Sequence, residues 1–170
     1  VICTTGQSDD DRKMIKSASS KIPVLTSANM SIGINLILDL VKIAAKALEG
    51  SFDIEIIEKH HNQKADSPSG TALAIADSIN SALSSPKEYV FGRHSKSDKR
   101  TENEIGIHSI RGGNIVGDHT VIFAGAGEVI EISHSAISRD VFGIGALTAA
   151  KFICGRKSGL YSMDNVIKSK

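Results

Sequence analysis

The segment DIEIIEKHHNQKADSPSGTALAIADSI, residues 53–79, carries the strongest structural pattern in the chain. Polar and apolar residues alternate from Asp53 to Glu58, as is typical of a half-buried strand. Apolar residues then recur at the spacing of an α-helix, at Leu73, Ala76, Ile79 and Leu83. The pattern therefore predicts a strand, a polar loop and a helix, with Ser67 or Ser69 as the helix N-cap.

The start of this helix is predicted to bind a small anion. The first four backbone N–H groups of a helix have no partner within it, and the helix dipole adds about half a positive charge there. The amides around Ser69, Gly70 and Thr71 can therefore bind a carboxylate or a phosphate. Lys64 lies in the loop that returns to this point and adds a full positive charge with three donors.

His60 and His61 are predicted to have different roles, because adjacent side chains on an extended segment point to opposite sides. Two simpler interpretations stay open at this point. A histidine at a strand end is often only a hydrogen-bonded side chain, and Ser-Gly-Thr is often only a capped helix start. A metal site is not favoured, because the spacing does not match His-Glu-x-x-His and a protonated lysine is a poor neighbour for a cation.

The run from Glu58 to Thr71 resembles the signature Glu-x-His-His-x-x-Lys-x-Asp-x-Pro-Ser-Gly-Thr of the 4-hydroxy-tetrahydrodipicolinate (dihydrodipicolinate) reductases of bacterial lysine and diaminopimelate synthesis. Further similarity extends it over almost the whole chain, in residues 104–113, 116–121, 127–128, 134–136 and 138–139. The resemblance implies hydride transfer from NADPH or NADH to the cyclic imine dicarboxylate derived from 4-hydroxy-tetrahydrodipicolinate, which gives tetrahydrodipicolinate.

The resemblance also implies roles for single residues. His60 matches the proposed proton donor, and Lys64 matches a second proton-donating or charge-positioning group. His61 matches a substrate contact. The residues that match binders of the substrate carboxylates are Ser69, Gly70 and Thr71, in agreement with the argument from the helix start.

The first 30 residues are interpreted as part of a nucleotide-binding domain. A strand and turn at residues 1–6, a helix from about Asp9 to Ser19 and a strand at 22–25 alternate along the chain. The resemblance assigns cofactor contacts to two segments, which contain Cys3, Thr4 and Thr5, and Ser27, Ala28, Asn29 and Met30. The family has glycine where Cys3 stands, and a side chain there narrows access to the backbone.

No Gly-x-Gly-x-x-Gly follows a strand in this sequence, although that turn holds the pyrophosphate in dinucleotide-binding domains. The sequence also starts within a strand and without methionine. We therefore expect it to be the C-terminal portion of a longer protein, with the residues that choose between NADH and NADPH upstream. Alone, this portion is expected to be inactive and to bind cofactor very weakly.

The predicted fold class is α/β. A remnant of a Rossmann-type dinucleotide-binding domain at residues 1–30 precedes an α+β substrate-binding and tetramerisation domain with a mixed sheet at 31–150. Residues 151–170 are expected to pack back on the dinucleotide-binding domain. The other predicted elements are helices at 32–49 and 139–154, strands near 105–110, 119–124 and 128–136, and a polar loop at 84–103.

One face of the predicted sheet is expected to pack on the helices at 70–84 and 139–154. The other face is expected to pack against another subunit, in the homotetramer that the resemblance implies. In the strand at 128–136, alternation places Val129 on one face and Ile130 and Ile132 on the other. The histidines of these strands, His108, His119 and His134, are interpreted as residues of strand faces or interfaces.

Composition favours a protein that binds neither membranes nor nucleic acid. Of its 170 residues 41% are hydrophobic, its net charge is +1, and it has no apolar run of the ~18 residues that a membrane span needs. Cations in the loop at 93–100 are interleaved with acidic residues, which favours a solvated loop over an RNA surface. Cys3 and Cys154 form no paired framework, which suits a reducing compartment and a cytoplasmic location.

Two classes of function follow. The first is the NAD(P)H-dependent reductase, which the pairing of His-His-x-x-Lys with Pro-Ser-Gly-Thr favours. The second is a non-catalytic module for substrate binding and oligomerisation, or the second domain of another NAD(P)-dependent dehydrogenase.

Overall fold

A computed structural model describes residues 1–4 and 6–169. The helices are α1 (Asp9–Ser19), α2 (Ile32–Leu48), α3 (Gly70–Asn80), α4 (Asp140–Ile153) and α5 (Met163–Lys168). The strands are β1 (Pro23–Leu25), β2 (Asp53–His60), β3 (Glu88–Phe91), β4 (Glu104–Arg111), β5 (Gly117–Ala124), β6 (Val129–Ala136) and β7 (Gly159–Tyr161). The helices and strands together form two compact units, one made of Val1–Leu36 with Arg139–Lys170 and the other of Ile37–Ser138. None of the helices in the described residues is long and apolar enough to cross a membrane.

The first unit joins the two ends of the chain. Strand β1 pairs in parallel with β7, and Ile2 forms a single bridge to Thr26. The core of this unit consists of Leu25, Met30, Ala149, Met163 and Val166. Strand β7 and helix α5 are not among the elements that the sequence predicts, because they contain only three and six residues.

Helix α4 lies directly on the backbone of Met30 in this unit. A Cβ atom at Gly145 would stand 1.8 Å from the carbonyl oxygen of Met30, far inside van der Waals contact. Only glycine therefore permits this approach between α4 and the segment that precedes α2.

The second unit contains a five-stranded mixed sheet in the order β3-β4-β2-β5-β6. Strands β3, β4 and β2 are parallel, whereas β5 and β6 run antiparallel to their neighbours, so the predicted mixed sheet is confirmed. The predicted hairpin between β5 and β6 is present, with a hydrogen bond of 2.9 Å from Gly125 N to Glu128 O. Strand β3 lies inside the segment predicted as a polar loop, so the sequence interpretation was wrong there.

Helices α2 and α3 cover one face of this sheet, which we call the inner face. The expectation that α4 would cover it is wrong, because α4 belongs to the first unit. Its place in this core is taken by α2, which contributes Ile37, Val41 and Ala45. Strand alternation is as predicted, with Ile130 opposite Phe123 and Ile132 opposite Val121 on the inner face.

The register of β4, β2 and β5 determines where polar side chains meet. Two apolar rows lie across the inner face, first Ile105, Ile54 and Phe123, then Ile107, Ile56 and Val121. Two polar rows follow, first Ser109, Glu58 and His119, then Arg111 and His60. The inner face thus changes from apolar to polar toward the end of β2, where α3 begins.

Candidate functional site

A fully buried carboxylate, that of Glu58, lies at the centre of the polar rows. Arg111 donates to both of its oxygens at 2.7 and 2.8 Å, and the backbone N–H of Ser69 donates to Oε1 at 3.1 Å. His60 Nδ1 lies 2.5 Å from Oε2. Burial alone raises the pKa of Glu58, but hydrogen bonds from Arg111, Ser109 and His60 outweigh it and lower the pKa from 4.5 to about 2. Glu58 is therefore ionised at neutral pH.

His60, the predicted proton donor, is the last residue of β2 and is only 8% exposed. An ionised carboxylate can only accept, so Nδ1 of His60 carries the hydrogen shared with Glu58. Its other nitrogen, Nε2, lies beside Gly117, where a Cβ atom would stand 3.1 Å away. Burial lowers the pKa of His60, with Lys64 and Arg111 acting in the same direction, while Glu58 raises it. The net effect is a pKa below 6.5, so the imidazole is mostly neutral at pH 7.

A second buried imidazole, that of His119, packs edge-on against His60 with 5.2 Å between ring centroids. Its Nε2 lies 3.2 Å from Ser69 Oγ, and its Nδ1 has no hydrogen-bond partner among the described residues. Burial, followed by the charge of His60, lowers the pKa of His119 from 6.5 to about 4. His119 is thus neutral at physiological pH.

The start of α3 has the predicted structure, with Ser69 rather than Ser67 as its N-cap. Ser69 is extended, at φ −67° and ψ 151°, and its hydroxyl accepts a hydrogen bond of 3.2 Å from Ala72 N. Gly70 and Thr71 form the first turn, and a Cβ atom at Gly70 would meet no atom within 4 Å. The helix start is therefore open on the side of Gly70.

Lys64 lies beside this helix start and holds a carboxylate there. Its Nζ donates to both oxygens of Asp66 at 2.7 and 2.9 Å, and Arg111 donates to the carbonyl oxygen of Asp66 at 2.6 Å. The hydrogen bond from Lys64, assisted by the backbone of Gly70, lowers the pKa of Asp66. The two positive groups predicted to bind an anion thus both act on one carboxylate of the chain itself.

His61 follows the last residue of β2 and is half-buried. Its carbonyl oxygen accepts a hydrogen bond of 3.2 Å from Lys64 N, which shapes the turn after the strand. The structure therefore gathers the predicted catalytic and substrate-binding residues at one end of the sheet. Their roles in binding and catalysis stay predictions.

Four of the predicted cofactor residues, Cys3, Ala28, Asn29 and Met30, line a cavity of about 350 Å³ in the first unit. Phe142, Gly143 and Ala146 of α4 also line it. A mostly apolar cavity of this size, with Asn29 as a polar group, fits a nicotinamide ring. Thr4 and Ser27 do not line it, and Thr5 lies outside the described residues.

Three residues of the site, Glu58, Arg111 and His119, have no predicted functional role from the sequence. Glu58 had a signal, because it stands two residues before His60 and therefore on the same strand face. Arg111 and His119 reach the site only through strand pairing, with His60 and Glu58 respectively, which lie 51 and 61 positions earlier in the chain. Local periodicity carries no information about such pairing.

The cations of the loop at 93–100 are divided between two environments. Arg93 and Arg100 pair with Glu55 of β2 at 2.7 and 3.1 Å, whereas Lys96 and Lys99 are exposed to solvent. Glu55 also accepts from His108 at 2.7 Å if that imidazole carries hydrogen on Nε2. Glu55 stands three residues before Glu58 and lies on the opposite face of the sheet.

Comparison with known proteins gives concordant results. The family model for the dihydrodipicolinate reductase C-terminus matches residues 33–167. Proteins named 4-hydroxy-tetrahydrodipicolinate reductase are 62% identical over 168 residues in Caldanaerobacter subterraneus subsp. tengcongensis and 60% identical over 169 residues in Clostridium tetani. Each alignment covers 99% of this chain, which spans about 66% of either relative.

A solved structure is also similar, that of the dipicolinate-bound dihydrodipicolinate reductase from Paenisporosarcina sp. TG-14. It superposes with a TM-score of 0.74 at 27% identity and covers 96% of this chain and 62% of its own. Sequence motifs, the family model and this shared fold all agree: the chain belongs to the dihydrodipicolinate reductase family.

Proposed function

We propose that this protein transfers a hydride from NADPH or NADH to the cyclic imine dicarboxylate derived from 4-hydroxy-tetrahydrodipicolinate. The product is tetrahydrodipicolinate, for lysine and diaminopimelate synthesis. The observation that carries the proposal is that the site of His60 already holds a carboxylate, that of Asp66, between Lys64 and the start of α3. A ring dicarboxylate presents two such groups beside an imine.

Substrate binding is assigned to the helix start and to Lys64. The amides at Ser69, Gly70 and Thr71 bind one carboxylate, and Lys64 supplies a compensating charge when it turns from Asp66. Dipicolinate, which the Paenisporosarcina relative binds, is a planar ring with two carboxylates. We extend this ligand class to the present chain, with His61 as a further contact.

Proton transfer is assigned to His60 and Lys64. Reduction of the conjugated ring by a hydride must be balanced by the gain of one proton, and Nε2 of His60 is the free end of an imidazole whose Nδ1 is fixed by Glu58. The folded protein lowers the pKa of His60, but a bound dianion raises it again by stabilising the imidazolium. His60 thus gains its proton as substrate binds, and Lys64 serves as the second donor.

The reduced nicotinamide supplies the hydride when it is bound. Cys3, Ala28, Asn29 and Met30 would hold its ring in the cavity beside α4. Asn29 is held in place there, since its Oδ1 accepts from Ser31 N and its carbonyl oxygen accepts from Asn35 Nδ2. We assign the first unit to a Rossmann-type nucleotide-binding domain and retain Thr4, Thr5 and Ser27 as proposed cofactor contacts.

We further propose a cytoplasmic homotetramer. The face of the sheet opposite α2 and α3 exposes apolar side chains, among them Ile110 at 47% and Val129 at 58%. Packing of this face against the sheet of another subunit would remove them from water. Light scattering on the purified protein tests this, and a monomer would contradict it.

Substitution at the two proposed donors tests the reaction. In the full-length protein, His60→Gln and Lys64→Ala are each expected to lower kcat by roughly 10² to 10⁴, as for loss of a positioned proton donor. The assay follows oxidation of the reduced cofactor with substrate generated in situ. His94→Gln and Lys99→Ala, at exposed loop positions, serve as matched controls with unchanged kcat.

Near-normal turnover in both His60→Gln and Lys64→Ala would show that the roles are wrong. The alternative, a non-catalytic binding and oligomerisation module, predicts binding of dipicolinate without any cofactor oxidation by the wild-type protein. Calorimetry with dipicolinate alongside the kinetic assay therefore separates the two functions.

A further inference from the structure

We infer that Glu58 is a positioning residue for His60, and that the same carboxylate fixes the start of α3 relative to the imidazole. The inference rests on the proposed function, since it concerns how the proposed proton donor and the proposed carboxylate-binding site are held together. Three separate elements meet at this one side chain: β4 through Arg111, the end of β2 through His60, and the α3 N-cap through the Ser69 amide.

Stability alone does not explain a charged side chain at this position. Ile54 and Ile56 occupy the same face of β2 at the two preceding inward positions and are almost completely buried. A buried ion pair such as that of Glu58 and Arg111 is often no more stabilising than apolar residues of similar size. The contacts to His60 and Ser69 provide a functional reason for the carboxylate.

The carboxylate selects one form of the imidazole. Because ionised Glu58 can only accept a hydrogen bond, it stabilises the tautomer of His60 with hydrogen on Nδ1 and leaves Nε2 for the substrate. It also prevents rotation of the ring, since Nδ1 lies 2.5 Å from Oε2. Through Oε1 it holds the Ser69 amide at 3.1 Å, so that the distance from the imidazole to the helix start is fixed.

The first test measures the tautomer directly. In the full-length protein, the side-chain ¹⁵N spectrum of His60 above its pKa is expected to show hydrogen on Nδ1, and Glu58→Gln is expected to shift it to a mixture of tautomers. The matched control is Glu55→Gln, which removes a carboxylate of the same strand that binds Arg93 and Arg100 but does not contact His60. An unchanged His60 spectrum in Glu58→Gln would overturn the inference.

The second test is a double-mutant cycle on kcat. Glu58→Gln alone is expected to lower kcat by roughly ten-fold or more, with a smaller change in KM. In a His60→Gln background the same substitution is expected to have almost no further effect on kcat, because Glu58 acts through the imidazole. If Glu58→Gln lowers kcat by the same factor in the His60→Gln background as in the wild-type protein, the inference is overturned.

The pH profile gives a third readout. The ionisable groups that face His60 are Glu58 on the same strand, Lys64 in the loop, Arg111 on β4 and His119 on β5. Glu58 is the only anion among these four, so its loss lowers the pKa of His60 and moves the alkaline limb of the kcat profile to lower pH. A limb that stays in place, or moves to higher pH, would count against the inference.

If Glu58→Gln does not fold, Glu58→Gln with Arg111→Met replaces it, because removing both members of a buried ion pair leaves no uncompensated charge. The same tautomer shift is expected in that double variant, and its absence would overturn the inference. Normal turnover in His60→Gln would instead contradict the proposed function. The tautomer spectrum would still decide the role of Glu58.

Discussion

Gly145→Ala is expected to destabilise the first unit through one steric contact. The added methyl group would stand 1.8 Å from the carbonyl oxygen of Met30, and real contacts of a Cβ atom are essentially never shorter than 3.0 Å. Helix α4 and the Met30 backbone must therefore separate by roughly 1 Å, since a peptide oxygen cannot rotate away as a flexible side chain can. Leu25, Ala149 and Met163, all fully buried around this contact, would lose packing as well.

The magnitude follows from two opposing effects. Overpacking of this kind costs about 1–3 kcal/mol, whereas replacing a helical glycine by alanine returns up to about 1 kcal/mol. We therefore expect Gly145→Ala to lower the free energy of unfolding by about 1 kcal/mol. Gly143→Ala is the matched control on the same helix, because a Cβ atom there meets nothing within 4 Å. It is expected to leave stability unchanged or to raise it by up to about 1 kcal/mol.

Urea unfolding followed by far-ultraviolet circular dichroism measures both variants, and hydrogen exchange of the α4 amides localises the effect. The comparison of the two alanines removes the contribution of helix propensity, because both lie in α4. If Gly145→Ala is as stable as Gly143→Ala, the close approach of α4 to Met30 is wrong.

Two further predictions concern the second unit. Because folding lowers the pKa of Glu58 to about 2, its ionised form stabilises the fold above pH 4.5, and this stability is lost as the pH falls toward about 2. Because folding lowers the pKa of His119 to about 4, its neutral form stabilises the fold above pH 6.5, and this stability is lost as the pH falls toward about 4. Each is on the order of 3 kcal/mol, so urea midpoints should fall in two stages on acidification, and His119→Gln should reduce the upper stage, to which the lowered pKa of His60 also contributes. Asp66→Asn is expected to strengthen dipicolinate binding several-fold, because it removes the carboxylate that competes for Lys64. The double substitution Gly70→Ala with Thr71→Val is expected to weaken dipicolinate binding, because it alters the helix start. Calorimetry at low and high salt checks both variants, and equal affinity in all three proteins would refute the anion-binding argument.

Much of the fold could be predicted from sequence where the pattern is local. The alternation in β2, the helical spacing in α3 and the glycine-rich turn between β5 and β6 predicted these elements within a few residues. Strand β3 was missed, because it has four residues and no fully buried side chain. The assignment of α4 to the sheet failed because helical periodicity shows that a helix has an apolar face but not which partner covers it.

The site shows the same division between local and distant information. His60, Lys64 and Ser69 are close in sequence, and their local motif was sufficient to predict that they share a site. Arg111 and His119 come to Glu58 through the register of β4 and β5, which depends on pairing along the whole strands. The role of Glu58 was concealed because a glutamate on a strand usually faces solvent, whereas Glu58 lies on the inner face and is fully buried.

The pairing of β1 with β7 has a consequence for the order in which the chain folds on the ribosome. Residues 37–138 are continuous and can fold once they have emerged, since their strands pair only among themselves. Strand β1, in contrast, is synthesised more than a hundred residues before its partner β7. Until then Leu25 lacks the cover that Met163 provides in the finished core, and the nascent first unit exposes the edge of β1 that later pairs with β7, which chaperones can bind.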